Sequence, residues 1–418
     1  MSQDIRFSRI EILIQQKKFA EAERNLSELL REDPNNIHFL SLLSEVNLQQ
    51  DKFDKANNII DNAIGLSPDT PHLFYIKSRI AIQQDKLNEA EKFLNQAIEL
   101  DPYDADYFAL LATVRLGRKQ FNEALETANR ALEIDAENLL ALNTRSTALN
   151  KLNRSDESFQ TIEGALREDP NNAYTHANYG WGLLEKGDHK KALVHFKEAL
   201  TNDPNFSYAQ SGMLEALKAT NPVYRVFLKY SFWMGNLTAK YQWAVIIGFY
   251  LGFRALRSIA SNNESLKPYL TPLIIFLALI AFSTWVIAPI SNLFLRFNKY
   301  GRLLLDRKEK LSSSFVAISL GLFIVGLVLY FALSDQKMLT IAVFGFAMML
   351  PLGTMFSPSK NKYGLLIYTI VLAIVGTTAI GLTFSTGEMF NSMTIVFLIG
   401  FVAFQWVANY LLIKESNQ

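Results

Sequence analysis

Cysteine is absent from the 418-residue chain, which excludes disulfides, thiolate metal sites and thiol nucleophiles and leaves no mark of redox compartment. Histidine is confined to the first half, at His38, His72, His176, His189 and His195. Acids are almost as scarce in the second half: Glu264, Asp306, Glu309, Asp335, Glu388 and Glu415 are the only ones after residue 220, and all lie outside the apolar runs. Proton relays and intramembrane metallo- or aspartyl sites need ionisable groups inside the membrane, so those classes are disfavoured. HExxH, GxGD and a glycine-rich phosphate loop are missing as well. His189 and His195 are six residues apart, which does not put them on one helical face, so no metal site is expected. Neither a catalytic residue nor a cofactor is expected.

Charge divides the chain near residue 221. Residues 1–220 hold 25 Lys and Arg against 34 Asp and Glu, whereas residues 221–418 hold 16 against 6. An acidic first half lacks the basic stripe that phosphate neutralisation needs, so nucleic acid is not an expected partner. The opening residues, MSQDIRFSRIEILIQQKKF, carry acids early and lack a long apolar core, so no signal peptide is expected.

What the first half has is a period. EDPNN at 32–36 returns as LSPDT, LDPYD, IDAEN, EDPNN and NDPNF, each 34 residues after the last. On that register one column reads Ala22, Ala56, Ala90, Ala124, Ser158, Ala192 and another Leu29, Ala63, Ala97, Ala131, Ala165, Ala199. Small residues recur where two helices must touch. In FNEALETANRALEI the apolar positions Phe121, Ala124, Leu125, Ala128, Ala131 and Leu132 follow helical spacing, and breaks such as LGRKQF and EKGDHK split each unit into two antiparallel helices. A unit of this kind cannot bury its apolar face alone, so stacking is obligatory.

This pattern resembles the tetratricopeptide repeat, over residues 3–206. The family's small residue at its eighth position is present as Ser44, Ser78, Ala112, Ser146 and Gly180, and its proline as Pro34, Pro68, Pro102, Pro170 and Pro204. Departures are Ile10 at the first small site, Ala136 for proline and Ser158 for alanine. Residues 207–219 continue as a capping helix. The resemblance implies a right-handed superhelix whose concave groove binds peptides or partner domains. Its groove positions fall here on Glu11, Ser41, Glu45, Tyr75, Arg79, Thr113, Asn143, Thr147, Tyr174, Ala177, Asn178 and Trp181. The family's clamp for C-terminal carboxylates needs several groove cations, and only scattered pieces exist. Tyr75, Arg79, Asn143, Tyr174, Asn178, Trp181 and Tyr208 are the expected partner-binding residues, with the aromatic group Tyr174, Trp181 and Tyr208 as anchor.

The second half consists of apolar segments at about 241–260, 269–295, 314–333, 338–356, 363–384 and 391–413. Each approaches or exceeds the roughly 20 residues that cross a hydrocarbon core. Arg254 and Arg257 interrupt the first, near the end where they can snorkel to headgroups. Ala244, Gly248 and Gly252 form a small-residue stripe suited to close helix packing or to a homo-oligomer, and Ala373, Thr377 and Gly381 form another. Gln405 and Asn409 are expected to bond between helices, and Pro289 and Pro351 to kink theirs. Loop 296–310 carries six Lys or Arg and loop 357–363 two, which places both in the cytoplasm by the positive-inside rule. Just before the first span, Val223, Val226, Phe227, Tyr230, Trp233, Met234 and Leu237 make one apolar face of a helix that either lies on the membrane surface or merely links the halves.

The expected fold is all-α. Residues 1–220 form a cytoplasmic domain of six repeats and a cap, 221–240 an amphipathic connecting helix, and 241–418 a transmembrane domain of about six spans. The expected function is a membrane-anchored, non-enzymatic interaction scaffold in an assembly, secretion or translocation complex. The alternative is a transporter, channel or membrane lipid enzyme regulated by the repeats. Expected partners are a protein or peptide in the groove, membrane lipids and other membrane-protein subunits. No organellar presequence is visible, which favours a multi-pass protein of the cell inner membrane with repeats and C-terminus cytoplasmic.

Overall fold

The computed structural model describes residues 3–297, 299–356 and 363–416. The loop-charge residues at 357–362 lie outside them. All regular structure among the described residues is helical. The chain divides into two compact units at Pro170/Asn171.

The first unit holds five helix pairs: α1 (Gln3–Gln15) with α2 (Phe19–Glu32), α3 (Ile37–Leu48) with α4 (Phe53–Leu66), α5 (Pro71–Gln83) with α6 (Leu87–Leu100), α7 (Ala105–Gly117) with α8 (Phe121–Ile134), and α9 (Leu139–Lys151) with α10 (Ser155–Glu168). The second opens with the sixth pair, α11 (Ala173–Glu185) and α12 (His189–Asn202), and the cap α13 (Ser207–Lys218). The small-residue columns are where the helices meet: Ala22, Ala56, Ala90, Ala124 and Ala192 are fully buried, as are Ala63, Ala97, Ala131, Ala165 and Ala199. The departure at Ser158 is accommodated by chemistry, because its hydroxyl donates to Ser146 O at 2.9 Å and so is satisfied inside the repeat. Ser44 makes the equivalent tie to Ala56 O at 3.0 Å.

Each pair turns through one left-handed residue: Lys17, Asp51, Asp85, Lys119, Asn153 and Gly187 all have φ between +57° and +89°. Their spacing is again 34 residues. Following amides reach back into the last turn of the first helix, as Lys18 N–H does to Leu13 O at 2.8 Å and Asp188 N–H to Leu183 O at 2.9 Å. These bonds satisfy helix-end carbonyls in the manner of a Schellman cap. Five of the six residues bear a side chain, at about 1 kcal/mol each. Asn36, Asp104, Asn138 and Asn172 cap the first helices of their repeats through side-chain oxygens.

The second unit continues through α14 (Pro222–Asn236), α15 (Ala239–Asn262), α16 (Lys267–Leu295), α17 (Lys299–Leu304), α18 (Arg307–Leu333), α19 (Met338–Thr354), α20 (Gly364–Thr386) and α21 (Ser392–Ser416). Five of these, α15, α16, α18, α20 and α21, are long and apolar enough to cross a membrane. The sixth expected span is shorter: α19 has 17 residues, about 25 Å, against a hydrocarbon core of about 30 Å. The stretch 241–260 is one uninterrupted helix within the 24 residues of α15. Arg254 and Arg257 are exposed on it.

Tyr224 and Leu228 of α14 are buried, while Val223, Val226, Tyr230 and Trp233 are exposed, Val226 at 71%. A linking helix would turn that apolar row inward. The row faces outward, three residues before the membrane-length helix α15.

Packing within the apolar helices corrects one expectation. The small-residue face of α20 that meets neighbours is Leu372, Gly376 and Ala379, not Ala373, Thr377 and Gly381. A Cβ at Gly376 would lie 2.3 Å from the Phe344 ring, whereas one at Gly381 meets nothing within 4 Å. Thr377 is exposed and bonds only its own helix, at Ala373 O and Ile374 O. Only Ala373, half-buried, joins the apolar cluster. Gly248 and Gly252 likewise face open space, and Ala244 is exposed, so no described element of this chain covers that stripe. α15 packs instead through Trp243, stacked on Trp406 of α21 at 6.1 Å.

Candidate functional site

The expected groove residues fall into three groups. In the first unit, Arg79 forms an ion pair with Glu45 one repeat earlier, and lies 5.8 Å from the Tyr75 ring. Tyr75 in turn contacts His72 at 5.8 Å and Tyr107 at 5.4 Å. Burial pushes both phenols above the ordinary tyrosine range, so they remain neutral hydrogen-bond donors. This half-buried column joins repeats two to four by polar and aromatic edges.

Asn143 and Asn178 form the second group, and the structure moves them off the surface: they are 1% and 8% exposed. Asn143 donates to Leu139 O, one turn back on its own helix, at 2.8 Å. The Asn143 carboxamide thus holds its own backbone. Ser41 and Ala177 are buried as well, while Thr113 and Thr147 are half-buried and bond back to their own helices.

The third group is the aromatic anchor on the sixth repeat and cap. Tyr174 stacks on Tyr208 at 6.4 Å, and Trp181 lies 5.7 Å from the same ring. Trp181 Nε1 donates to Tyr208 O at 3.2 Å, and its ring also meets Phe196 and Phe232 edge-on. Trp181 is thereby fixed from below, while Tyr174 and Tyr208 keep 43% and 38% of their surface exposed. Beneath them Phe196 is fully buried where Gly180 and Gly212 leave room; a Cβ at Gly212 would fall 2.2 Å from its ring. The group thus combines a rigid base with exposed phenol edges.

Sequence reasoning missed a histidine pair. His176 Nδ1 and His195 Nδ1 are 3.0 Å apart, with Tyr179 edge-on to His195 at 4.5 Å. The two histidines are 19 residues apart on different helices, so no local spacing signals them. Burial and the facing His176 push His195 down to about 4, so it is neutral in the folded chain. The unfolded chain then binds more protons between about pH 6.5 and 4, and stability falls as pH drops through that window. We expect a loss of about 1–2 kcal/mol after allowance for partial solvent access. Melting curves of the full chain in detergent at pH 7.5 and 4.5 check this, with His195→Gln flattening the dependence.

A crevice of about 540 Å³ between α6, α7 and α8 is lined by Asn95, Phe108, Leu111, Arg115, Thr127 and Arg130 among others. Arg115 stands where the other repeats carry Leu13, Asn47, Ala81, Leu149 and Leu183. Its guanidinium is engaged by Thr127 at 2.5 Å and Glu91 at 3.4 Å. Among the described residues no group of three or more His, Asp or Glu is placed to hold a metal.

Residues 13–80 and 47–114 match the tetratricopeptide repeat family model. The N-terminal region is a tetratricopeptide-repeat array, a fold that typically serves as a protein-interaction module. Solved structures that resemble it include YrrB, described as a TPR protein with an unusual peptide-binding site, at 19% identity, covering 44% of this chain and 96% of that one with a TM-score of 0.33. Another is pilF of Pseudomonas aeruginosa, at 17% identity, 50% and 95% coverage and a TM-score of 0.41. A third is a tetratricopeptide repeat protein of Parabacteroides merdae, at 17% identity, 50% and 81% coverage and a TM-score of 0.44. No curated protein matches the chain.

Proposed function

We propose that this chain is a membrane-anchored interaction scaffold. Residues 1–220 stand on the cytoplasmic side of the inner membrane, 221–240 connect at its surface, and 241–418 anchor the chain and meet other membrane-protein subunits and lipids. Tyr174, Trp181 and Tyr208 anchor a protein segment on the second unit, and within the first unit the Tyr75–Arg79 column offers a separate polar edge.

The observation that carries this reading is the joint between repeat and apolar helices inside the second unit. Leu214 of α13 packs with Leu295 and Leu305, and Asn236 Nδ2 donates to Glu185 Oε1 at 2.7 Å. A repeat fixed in this way to membrane-length helices is suited to holding its cargo at the bilayer. A photo-crosslinking amino acid in place of Tyr208 should trap a protein of discrete mass in cells, and Tyr174→Glu should abolish the adduct. A reporter near Asn262 should be external and one at Ala219 cytoplasmic. Absence of any protein adduct would sink the groove reading, and reporters on one side would sink the topology.

A further inference from the structure

Helix α14 carries two apolar faces. Tyr224 and Leu228 are buried in the cluster built on the sixth repeat and the cap, with Phe227 and Phe232 packed against it. On the nearly opposite side Val223, Val226, Tyr230 and Trp233 share an arc of about 80° at 3.6 residues per turn, and they are 67%, 71%, 41% and 51% exposed. The Tyr230 and Trp233 rings stand side by side at 6.1 Å. Lys229 borders the row, about 40° from Trp233, and is exposed. Leu237 and Thr238 are extended and break the helix between α14 and α15. Gln242, 4% exposed, donates to Met234 O at 2.9 Å across that corner, so the row keeps a fixed attitude to the start of α15.

Charge along this stretch has one sign. Residues 216–263 contain no Asp or Glu and six cations, Lys218, Arg225, Lys229, Lys240, Arg254 and Arg257. Lys218 is paired with Glu215 inside the joint. Arg225 donates to a neutral acceptor, Ala219 O, at 3.1 Å. Among the described residues no carboxylate pairs with Arg225, Lys229 or Lys240. Lys240, in the first turn of α15, is exposed. A protein groove could take the apolar row, but it would also have to bring carboxylates to these cations and stop where α15 enters the bilayer. An anionic bilayer surface meets all three conditions at once. Its acyl boundary takes the valines, Tyr and Trp suit headgroup depth, and lysine side chains snorkel to phosphate.

We propose that the outer face of α14 docks on a bilayer surface rich in anionic phospholipid. Val223, Val226, Tyr230 and Trp233 enter the boundary between headgroups and acyl chains, and Lys229 and Lys240 meet lipid phosphates. The inner face meanwhile holds the sixth repeat and its cap. The docking rests on the membrane reading above and adds to it the charge of the lipid and the residues that meet it.

The chain has no cysteine, so one introduced cysteine carries one spin label. The full chain labelled at Val226→Cys, or at Phe276→Cys in α16 where the native side chain is 59% exposed, would be placed in nanodiscs of phosphatidylcholine alone or mixed equally with phosphatidylglycerol. Access of each label to oxygen and to a neutral water-soluble nickel chelate would be compared. In the mixed discs the Val226 label should be open to oxygen and shielded from the chelate, and in phosphatidylcholine less so. Lys229→Gln should lower the ratio of shielded to exposed label about five-fold in the mixed discs, the loss of one cation at an anionic surface, and leave it unchanged in phosphatidylcholine. Trp233→Cys, labelled likewise, should repeat the result and guards against a local fault at Val226. Equal shielding in both discs overturns the anionic partner. A label closed to oxygen and chelate alike is covered by protein, which overturns the lipid. A Val226 label open to the chelate in both discs, beside a shielded Phe276 label, refutes the docking alone, whereas two open labels refute the membrane reading.

Discussion

Glu215→Ala is expected to destabilise the second unit by about 3–5 kcal/mol, the effect of leaving a buried charge without its partner. Lys218 is 5% exposed, and its Nζ lies 2.7 Å from Glu215 Oε1. The other carboxylate oxygen accepts from Tyr224 Oη at 2.6 Å, which ties the cap α13 to helix α14. Burial and the adjacent carboxylate push the Tyr224 phenol up, so it acts only as donor over the accessible pH range. Without Glu215 the Lys218 ammonium sits against the Tyr224 ring, 5.8 Å from its centre, with no anion. It must lose its proton or draw water into the joint. Tyr224→Phe removes one charge-assisted hydrogen bond and should cost about 1.5–3 kcal/mol. The double variant Glu215→Leu with Lys218→Met should recover most of the loss, since apolar residues of similar volume replace a buried pair at little net cost. Thermal melts of the four chains in one detergent measure the cycle. A melting temperature unchanged in Glu215→Ala would show that water already reaches Lys218.

The parts of this molecule that recur at 34 residues were legible; those made by tertiary meeting were not. Alanine columns expose themselves because helix contact permits only small side chains, and each repeat restates the constraint. The left-handed turn recurs equally strictly; Gly187, Asn153, Asp51 and Asp85 are residue types that enter that region readily, whereas Lys17 and Lys119 carry no sign of it. Tyr174, Trp181 and Tyr208 lie side by side because repeat register maps them onto α11 and the adjoining cap α13. Asn143 and Asn178 also stand on first helices of their repeats yet are buried, and the short Asn143 carboxamide is satisfied one turn back on its own helix. In the apolar helices, sequence is hydrophobic on every side and gives little rotational phase. A stripe through Ala373, Thr377 and Gly381 is therefore as plausible from sequence as the face of Leu372, Gly376 and Ala379 that packs.

The tightest approach to main chain at the glycines of the second unit sets the other large effect. A Cβ at Gly345 of α19 would lie 2.5 Å from Phe323 N and 2.7 Å from Ser319 O, and one at Gly326 of α18 would lie 2.4 Å from Ala342 N. These are backbone atoms, so no side chain can swing aside. The reciprocal glycines let two helices touch main chain to main chain, and Ser319 Oγ closes the seam by donating to Gly345 O at 2.7 Å. Gly345→Leu must push the helices apart, break that bond and open the packing along both, at a cost of at least about 3 kcal/mol. The full chain should then leave a size-exclusion column aggregated or melt far below the parent. Gly345→Ala should show the same effect in smaller measure, because even one methyl meets main chain. Gly248→Leu is the comparison that gives the result meaning: its Cβ meets nothing within 4 Å, so the monomer should fold and melt as the parent does. If Gly248→Leu instead alters the mass of the purified species, a second copy of the chain covers that stripe. If Gly345→Leu is tolerated, α18 and α19 do not meet at Gly345.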